Sequence, residues 1–294
     1  MTEGKTKRIK PINNELVLIE TKDILTANDA TKKRELDVAK HKTEQTCDIF
    51  EFLEKNSVYT AYMGRESDTT FIAKKCNMLP YEIVVRSYAY GSYLLRNPKA
   101  VKGDKLPSLD IEHFHKCAVI EGSFLLDESI AREQYMMPDG TWVTDVITDP
   151  LIQYTWGEWK DKSGELNDKT GFNQDIYNPK APLSETKLLT TESEIAPEDY
   201  HKINGTAIQV FRLLSKAWDE FNITLVDIKL EFGFDTKGNL LLSDVIDNDS
   251  WRIWLNGDYS QQLDKQSFRD GEDDDTVVSK YAKVTEYTNK FQGL

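Results

Sequence analysis

Asp227, Lys229 and Glu231 stand two residues apart in Leu225-Val-Asp-Ile-Lys-Leu-Glu-Phe-Gly233, and Asp244 follows in the next apolar run. Carboxylates beside an ammonium group are the residue types that hold a hard divalent cation and neutralise phosphate oxygens. Val226, Ile228, Leu230 and Phe232 alternate with the charged residues. That period of two predicts a strand with one apolar and one charged face. Asp235-Thr-Lys-Gly-Asn239 supplies turn residues, so the two runs read as a hairpin. A two-residue turn at Lys237–Gly238 and a four-residue loop give the same register, with Glu231 directly opposite Asp244. Two carboxylates at cross-strand distance repel unless a proton, a cation or Lys229 holds them. The plain alternative is a solvated sheet face, which antiparallel sheets often have. Asp247-Asn-Asp-Ser-Trp-Arg252 follows at once with two more acids and an arginine, which favours a site.

Two further stretches could bind phosphate. Glu3-Gly-Lys-Thr-Lys-Arg8 sets one glycine among three cations. Such a loop can cradle a triphosphate with backbone amides and lysine heads. It is not a P-loop, because the first glycine and the following helix are missing. A merely solvated basic tail is the competing reading. In the second stretch, Arg86 interrupts the apolar run Ile83-Val-Val85 and precedes Gly91-Ser92. A buried guanidinium requires a carboxylate or a phosphate partner, and the sequence leaves both open. Gly91-Ser92 opens a short helix and offers amides and a hydroxyl to an anion. His113 and His115 flank Phe114 on one strand face, but two histidines with no nearby acid or cysteine at ligand spacing do not complete a metal site.

Several elements must position these residues. Residues 15–20, 59–63, 70–73 and 83–89 read as strands. Residues 43–55 form a helix with the apolar stripe Cys47, Ile49, Phe50, Phe52 and Leu53. Residues 198–222 are amphipathic, with Ile203, Ala207, Val210, Phe211, Leu214 and Trp218 on one face, and 277–291 form a closing helix. Residues from about 140 to 190 crowd Gly, Asn, Asp, Lys and Pro around isolated tryptophans, and read as an excursion of loops and short strands. Its mobile tip is expected at 160–169. Strands and helices mix without regular βαβ alternation, which indicates an α+β fold.

The chain of 294 residues suffices for one large domain or two modest ones. A formal net charge of −13 disfavours nucleic acid and anionic membranes as partners. No apolar run is long enough to span a bilayer, and no apolar h-region marks a secretory signal. Three scattered cysteines without CxxC spacing favour free thiols in the cytoplasm. No Gly-x-Ser-x-Gly elbow appears.

Taken together, Glu-Gly-Lys-Thr-Lys at 3–7, Met78-Leu-Pro-Tyr-Glu-Ile-Val-Val-Arg-Ser-Tyr-Ala-Tyr-Gly-Ser92 and Leu225–Gly233 resemble the SAICAR synthetase (phosphoribosylaminoimidazole-succinocarboxamide synthase) family of purine biosynthesis. The resemblance is closest at Leu242-Ser-Asp-Val-Ile-Asp-Asn-Asp-Ser-Trp-Arg-Ile-Trp254 and Ser260–Asp270, where it is similar to the animal-type branch. It implies an α+β, SAICAR synthase-like fold. A small N-terminal antiparallel sheet domain (1–79) binds ATP, and a larger domain (80–294) binds substrate and metal, with a cleft for ATP between them. It implies an ATP- and Mg2+-dependent ligase joining CAIR, a carboxy-aminoimidazole ribotide, to L-aspartate. Carried over by motif, Gly4, Lys5 and Lys7 contact ATP phosphates, and the backbone from Lys75 to Met78 edges the adenine. Arg86 and Ser92 hold the ribotide 5′-phosphate, with Arg252 on the same substrate. Asp227 and Lys229 line the reacting centre, and Glu231 and Asp244 hold magnesium. The resemblance leaves a homo-oligomer open, and it implies no carboxylase domain in a chain of this length.

One motif departs from the family pattern. The usual Asp-Asp-x-x-(His/Asn)-Asp-Pro stretch has its nearest match in Thr144-Asp-Val-Ile-Thr-Asp-Pro150, which lacks the first acid and the His or Asn. A small-molecule kinase, or an amide ligase with a different acceptor, is the alternative function. A non-catalytic nucleotide-binding scaffold would not require every one of these charged positions.

Overall fold

The structure is a computed structural model that describes residues 2–27, 32–122, 124–156, 172–182 and 187–294. The expected mobile tip at 160–169 lies outside the described residues. The chain divides into two compact units, Met1–Leu79 with Ala207–Leu294, and Pro80–Thr206. The partition read from sequence has the same cut after residue 79 but none at 206/207, which falls within the helix Pro197–Asp219.

In the first unit, five antiparallel strands are ordered Thr2–Glu3, Lys7–Pro11, Leu16–Thr21, Thr70–Lys74 and Tyr62–Arg65. Alternation in Leu16–Thr21 buries Val17, Ile19 and Thr21. The helix Ala39–Lys55 buries Ile49, Phe50, Phe52 and Leu53, as its apolar stripe requires. It starts four residues earlier than position 43, because Asp23 Oδ1 accepts the Val38 and Ala39 amides at 3.0 and 2.7 Å. That carboxylate does the work of a local N-cap from a distant loop. The same helix carries Asp48, half-buried against Thr288 Oγ1 at 2.8 Å. Burial, with Glu44 and Glu51 nearby, pushes its carboxyl up to about 6. Its folded pKa therefore lies above its unfolded one, so Asp48 favours the fold at low pH and costs stability as pH rises through 6. Asp48→Asn is expected to raise stability at pH 7.5 by about 1 kcal/mol after allowing for solvent screening, with the gain fading toward pH 4. Thermal melts at the two pH values check this, and no gain at pH 7.5 would contradict it.

The long strand Ile223–Asp235 pairs antiparallel with Leu240–Ser243, Cys76–Met78 and Trp251–Leu255. Gly233 is required by close approach. A Cβ there would lie 2.9 Å from the Asn77 carbonyl oxygen and 2.9 Å from Cys76 Cβ. Gly233→Ala therefore forces the Cys76–Met78 strand outward, with an expected loss of about 1–3 kcal/mol in urea unfolding. Trp218, from the long helix, packs edge-on against Trp251 and Phe291 at centroid distances of 5.4 and 4.9 Å. The helix Asp274–Thr288 closes the unit, its N-terminus capped by the Asp273 side chain.

In the second unit, Tyr81–Tyr88 pairs with Lys105–His115, which pairs with Leu151–Trp156. Phe172–Tyr177 and Lys187–Glu192 extend the sheet. The described part of the excursion at 140–190 holds loops and the short strands Val146–Thr148, Leu151–Trp156, Phe172–Tyr177 and Lys187–Glu192, as expected. Leu151–Trp156 pairs with Lys105–His115, and Phe172–Tyr177 and Lys187–Glu192 add to it in turn, so their extent is set by pairing across the sheet rather than by local composition. A separate three-stranded sheet (Phe124–Asp127, Cys117–Ile120, Val146–Thr148) packs on the helix Glu128–Tyr135. Among the described residues, no helix is long and apolar enough to cross a membrane. Cys47, Cys76 and Cys117 are free thiols.

Candidate active site

The hairpin forms where the alternation predicts it, but its register differs by one residue from the expected one. Glu231 faces Ser243, and Phe234 faces Leu240. The turn explains the shift. Asp235 N donates to Asn239 O and Gly238 N to Asp235 O, both at 3.0 Å, so the loop has three residues. Gly238 takes φ 81, the left-handed position of a three-residue turn with a bulge. Asp235 Oδ1 accepts the amides of Lys237 and Asn239, each at 2.9 Å, and favours this turn over both alternatives. Asp244 is therefore not the direct partner of Glu231. It lies one residue past the strand end, with φ 66.

The charged face is not a wet face. Asp227 and Glu231 are each 4% exposed. Each carboxylate meets a cation instead. Lys229 Nζ donates to Glu231 Oε1 at 2.7 Å. Lys7, from the first basic strand, forms an ion pair with Asp244. Arg252 Nη1 donates to Asp227 Oδ2 at 2.7 Å, because a register shift after Leu225 sets Asp227 opposite Arg252. The family resemblance implied Asp227 at a reacting centre and Arg252 on a substrate, and the structure joins the two side chains directly.

The turn before Arg252 is held from several elements. Asp249 N donates to Asp247 Oδ1 at 2.8 Å. Asn248 N donates to Gln45 Oε1 at 2.9 Å, and Asn248 Nδ2 to Leu263 O at 2.9 Å. Lys42 and Lys265 donate to Asp249 Oδ2 at 2.8 and 3.2 Å, and the Tyr281 hydroxyl donates to Oδ1 at 2.5 Å. The Ser250 carbonyl then accepts the Lys229 amide at 2.7 Å. Burial pulls the Lys42 ammonium down, but Asp249 and Asp247 outweigh it and its pKa is raised. Burial also raises the Asp247 carboxyl against the pull of Lys42. Sequence reading passed over Lys42 and Lys265. Lys42 lies just before the helix start read at 43, and only the longer helix Ala39–Lys55 sets it on the buried face with Ala39 and Thr46.

In the N-terminal loop, the Gly4 amide donates to Lys7 O at 2.9 Å, and Lys22 Nζ donates to Gly4 O at 2.8 Å. Lys5 is exposed. Lys75 N donates to Glu15 O at 2.7 Å. Met78 faces Gly233 and is 39% exposed. Lys7, Lys75, Met78, Asp227, Lys229, Glu231, Asp244 and Arg252 thus belong to one compact unit, although they lie far apart in sequence.

Arg86 and Ser92 belong to the second unit. Arg86 is 2% exposed, and its partner is a carboxylate: Nε and Nη2 donate to Glu112 Oε2 at 3.1 and 2.9 Å. Ser92 opens the four-residue helix Tyr93–Arg96 without its side chain capping it. His113 lies between the Tyr154 hydroxyl at 3.0 Å and Asn204 Oδ1 at 2.7 Å, and burial pulls its ring down to about 4. His115 Nε2 meets Glu194 Oε1 at 2.8 Å. The two rings thus serve the sheet's packing. Among the described residues, no group of three His, Cys, Asp or Glu side chains converges as a metal cage. Glu231 and Asp244 are nonetheless hard oxygen donors beside lysines. That donor set suits magnesium, which is commonly held by one or two carboxylates together with substrate phosphates.

The sequence model of the SAICAR synthetase family matches residues 1–148 and 159–287. The chain is 32% identical over 299 aligned positions to the "Probable multifunctional protein ADE2" of Caenorhabditis elegans, covering 99% of this chain and 58% of that protein. It is 28% identical to the phosphoribosylaminoimidazole-succinocarboxamide synthase of Chloroflexus aurantiacus, covering 99% of this chain and 96% of that one. The chain spans about half the length of the animal relatives it matches, 58% in the worm and 52% in chicken. Among solved structures, a type-2 SAICAR synthetase in complex with ADP superposes with a TM-score of 0.70 at 26% identity, over 98% of this chain and 96% of that chain. The match along nearly the whole sequence, and the α+β fold it shares with these structures, establish that this chain belongs to the SAICAR synthetase family.

Proposed function

We propose that the chain is an ATP-dependent ligase that joins CAIR and L-aspartate into SAICAR, with release of ADP and phosphate, in purine biosynthesis. The observation that carries this reading is the Asp227–Lys229–Glu231 row, whose two carboxylates are buried and each paired with a cation, with Lys7 reaching Asp244 at its end. A scaffold has no use for two buried carboxylates on one strand face, because burying each one is unfavourable unless it is paired. Family membership and a relative solved with ADP support the nucleotide assignment. The free thiols and substrate class fit a cytoplasmic enzyme.

A carboxylate is a poor electrophile for an amine, because its leaving group would be oxide. ATP first phosphorylates the imidazole carboxylate. The aspartate amine then attacks the acyl phosphate and expels phosphate. Lys5 and Lys7, at the Gly4 loop, neutralise the ATP phosphates, and the Lys75–Met78 backbone edges the adenine. Lys229 lies beside the transferring group and offsets its charge. Asp227 orients Arg252 toward the ribotide, and Arg86 with Ser92 holds the 5′-phosphate. Glu231 and Asp244 would hold magnesium, which would supply charge neutralisation during phosphoryl transfer. Lys229 pairs with Glu231 and Lys7 with Asp244, so each ammonium group stands beside an oxygen donor that would hold the cation. On this reading 1–79 is the ATP-binding part and 80–294 carries the substrate and metal groups.

The test is ADP release by the purified protein with ATP, magnesium and CAIR, with and without L-aspartate, and the product identified by mass. Dependence on all three substrates with a succinocarboxamide product supports the ligase. ADP release that needs no aspartate would instead indicate a kinase or another amine acceptor.

A further inference from the structure

We propose that Arg96 and Glu112 are positioning residues: they hold the Arg86 guanidinium and the Gly91–Ser92 turn in the arrangement that receives a sugar 5′-phosphate. The inference rests on the ribotide reading above.

Glu112 lies on the strand Lys105–His115, where it faces Val84, while Arg86 faces Asp110. Glu112 is thus diagonal to Arg86, at the range over which long side chains meet across a sheet. Its two oxygens are divided between two arginines. Oε2 takes Nε and Nη2 of Arg86 at 3.1 and 2.9 Å, and Oε1 takes Nη2 of Arg96. Arg96 is itself fixed. Its Nη1 donates to Pro179 O at 2.8 Å, and its guanidinium lies 5.3 Å from the Phe114 ring centroid. All three members are buried: Arg86 is 2%, Arg96 4% and Glu112 7% exposed.

The two arginines bracket one short stretch of chain. Arg86 follows the apolar run Ile83–Val85 within the strand Tyr81–Tyr88, and its Nη1 donates to Tyr90 O at 3.4 Å. Gly91 follows with φ 60, then Ser92, then the helix whose last residue is Arg96. One carboxylate therefore clamps both ends of residues 86–96, with Ser92 in the middle. A single arginine would satisfy Glu112 as a structural anion. A second buried guanidinium adds a desolvation penalty that the pair alone does not require. What it adds is orientation. Arg86 is a rigid fork, and phosphate recognition by a fork depends on its plane. Asp110 faces Arg86 across the sheet; burial and Glu112 raise its carboxyl, against the pull of Arg86 and Arg96.

Calorimetric titration with ribose 5-phosphate tests this without requiring turnover, with ADP as the control ligand. Arg96→Lys keeps the charge but cannot serve Glu112 and the Pro179 carbonyl with one fork. It is expected to weaken ribose 5-phosphate binding about tenfold and to leave ADP binding unchanged, as misaimed binding groups do. Glu112→Gln, of the same shape, is expected to do the same and stands in should Arg96→Lys fail to fold. In turnover, KM for CAIR rises in either variant while KM for ATP and L-aspartate holds. Unchanged ribose 5-phosphate affinity in a folded variant, or an equal loss for ADP, would overturn the proposal. If wild type binds ribose 5-phosphate but shows no aspartate-dependent turnover, the ligase reading falls and the positioning role stands.

Discussion

Glu231→Gln and Asp244→Asn are each expected to lower kcat by on the order of 10²–10³-fold, the usual effect of removing one group that stabilises transition-state charge. Both changes keep side-chain shape and remove one negative charge. In the free protein they release Lys229 and Lys7 from their ion pairs. Lys229 is 32% exposed, so its release costs little in stability. The fold is therefore retained while the oxygen donors that suit magnesium are reduced to one. A second readout does not depend on turnover: the magnesium dependence of ADP binding should flatten in both variants. Turnover near that of wild type in either variant would remove its residue from the metal assignment.

The largest expected effect on stability belongs to Lys42→Met, at about 3–5 kcal/mol, because breaking a buried ion pair leaves the partner charge uncompensated. Lys42 is 2% exposed, and its ammonium lies 2.8 Å from Asp249 and 4.0 Å from Asp247. Its folded pKa is raised above the unfolded value, so its contribution is fully present at neutral pH and disappears only at high pH, as it deprotonates. Without it, Lys265 still serves Asp249 at 3.2 Å, while Asp247 loses its nearest cation. Asp247 then takes up a proton more readily, so the loss should shrink as the pH falls toward 5. Urea unfolding at pH 8 and pH 5 measures both statements. A loss below 1 kcal/mol at pH 8 would mean that Lys265 alone balances the cluster. Because the Ser250 carbonyl of this turn accepts the Lys229 amide, Lys42→Met should also impair turnover in whatever fraction remains folded.

The hairpin illustrates what local pattern can and cannot reveal. Alternation from Val226 to Phe232 identifies the strand, because side chains on a pleated backbone must alternate. The turn residues identify the reversal as well. The register depended on whether the loop has two, three or four residues. Asp235 decided it by accepting two loop amides, a choice between conformations of similar energy. A shift of one residue then moved Asp244 from facing Glu231 to the position beyond the strand end.

Arg86 shows a second limit. Its place in an apolar strand made burial and an anionic partner predictable. The partner is Glu112, which sits on the neighbouring strand and is brought close only by sheet register. The same holds for Asp227 with Arg252, and for Lys42 with Asp249 across 207 residues of chain. Short strands after residue 140 were expected, but their pairing order across the sheet was not legible from turn-rich composition.

By itself, the sequence determined the α+β class, the main helices, the charged hairpin and the family, because these follow from short-range periodicity and from ordered motifs along the chain. Only the tertiary structure decided which cation meets which carboxylate. Those pairings depend on loop length, strand register and side-chain reach, and each is set by contacts between residues distant in sequence. Ion-pair geometry falls off within a few ångströms, so a one-residue slip is enough to exchange partners.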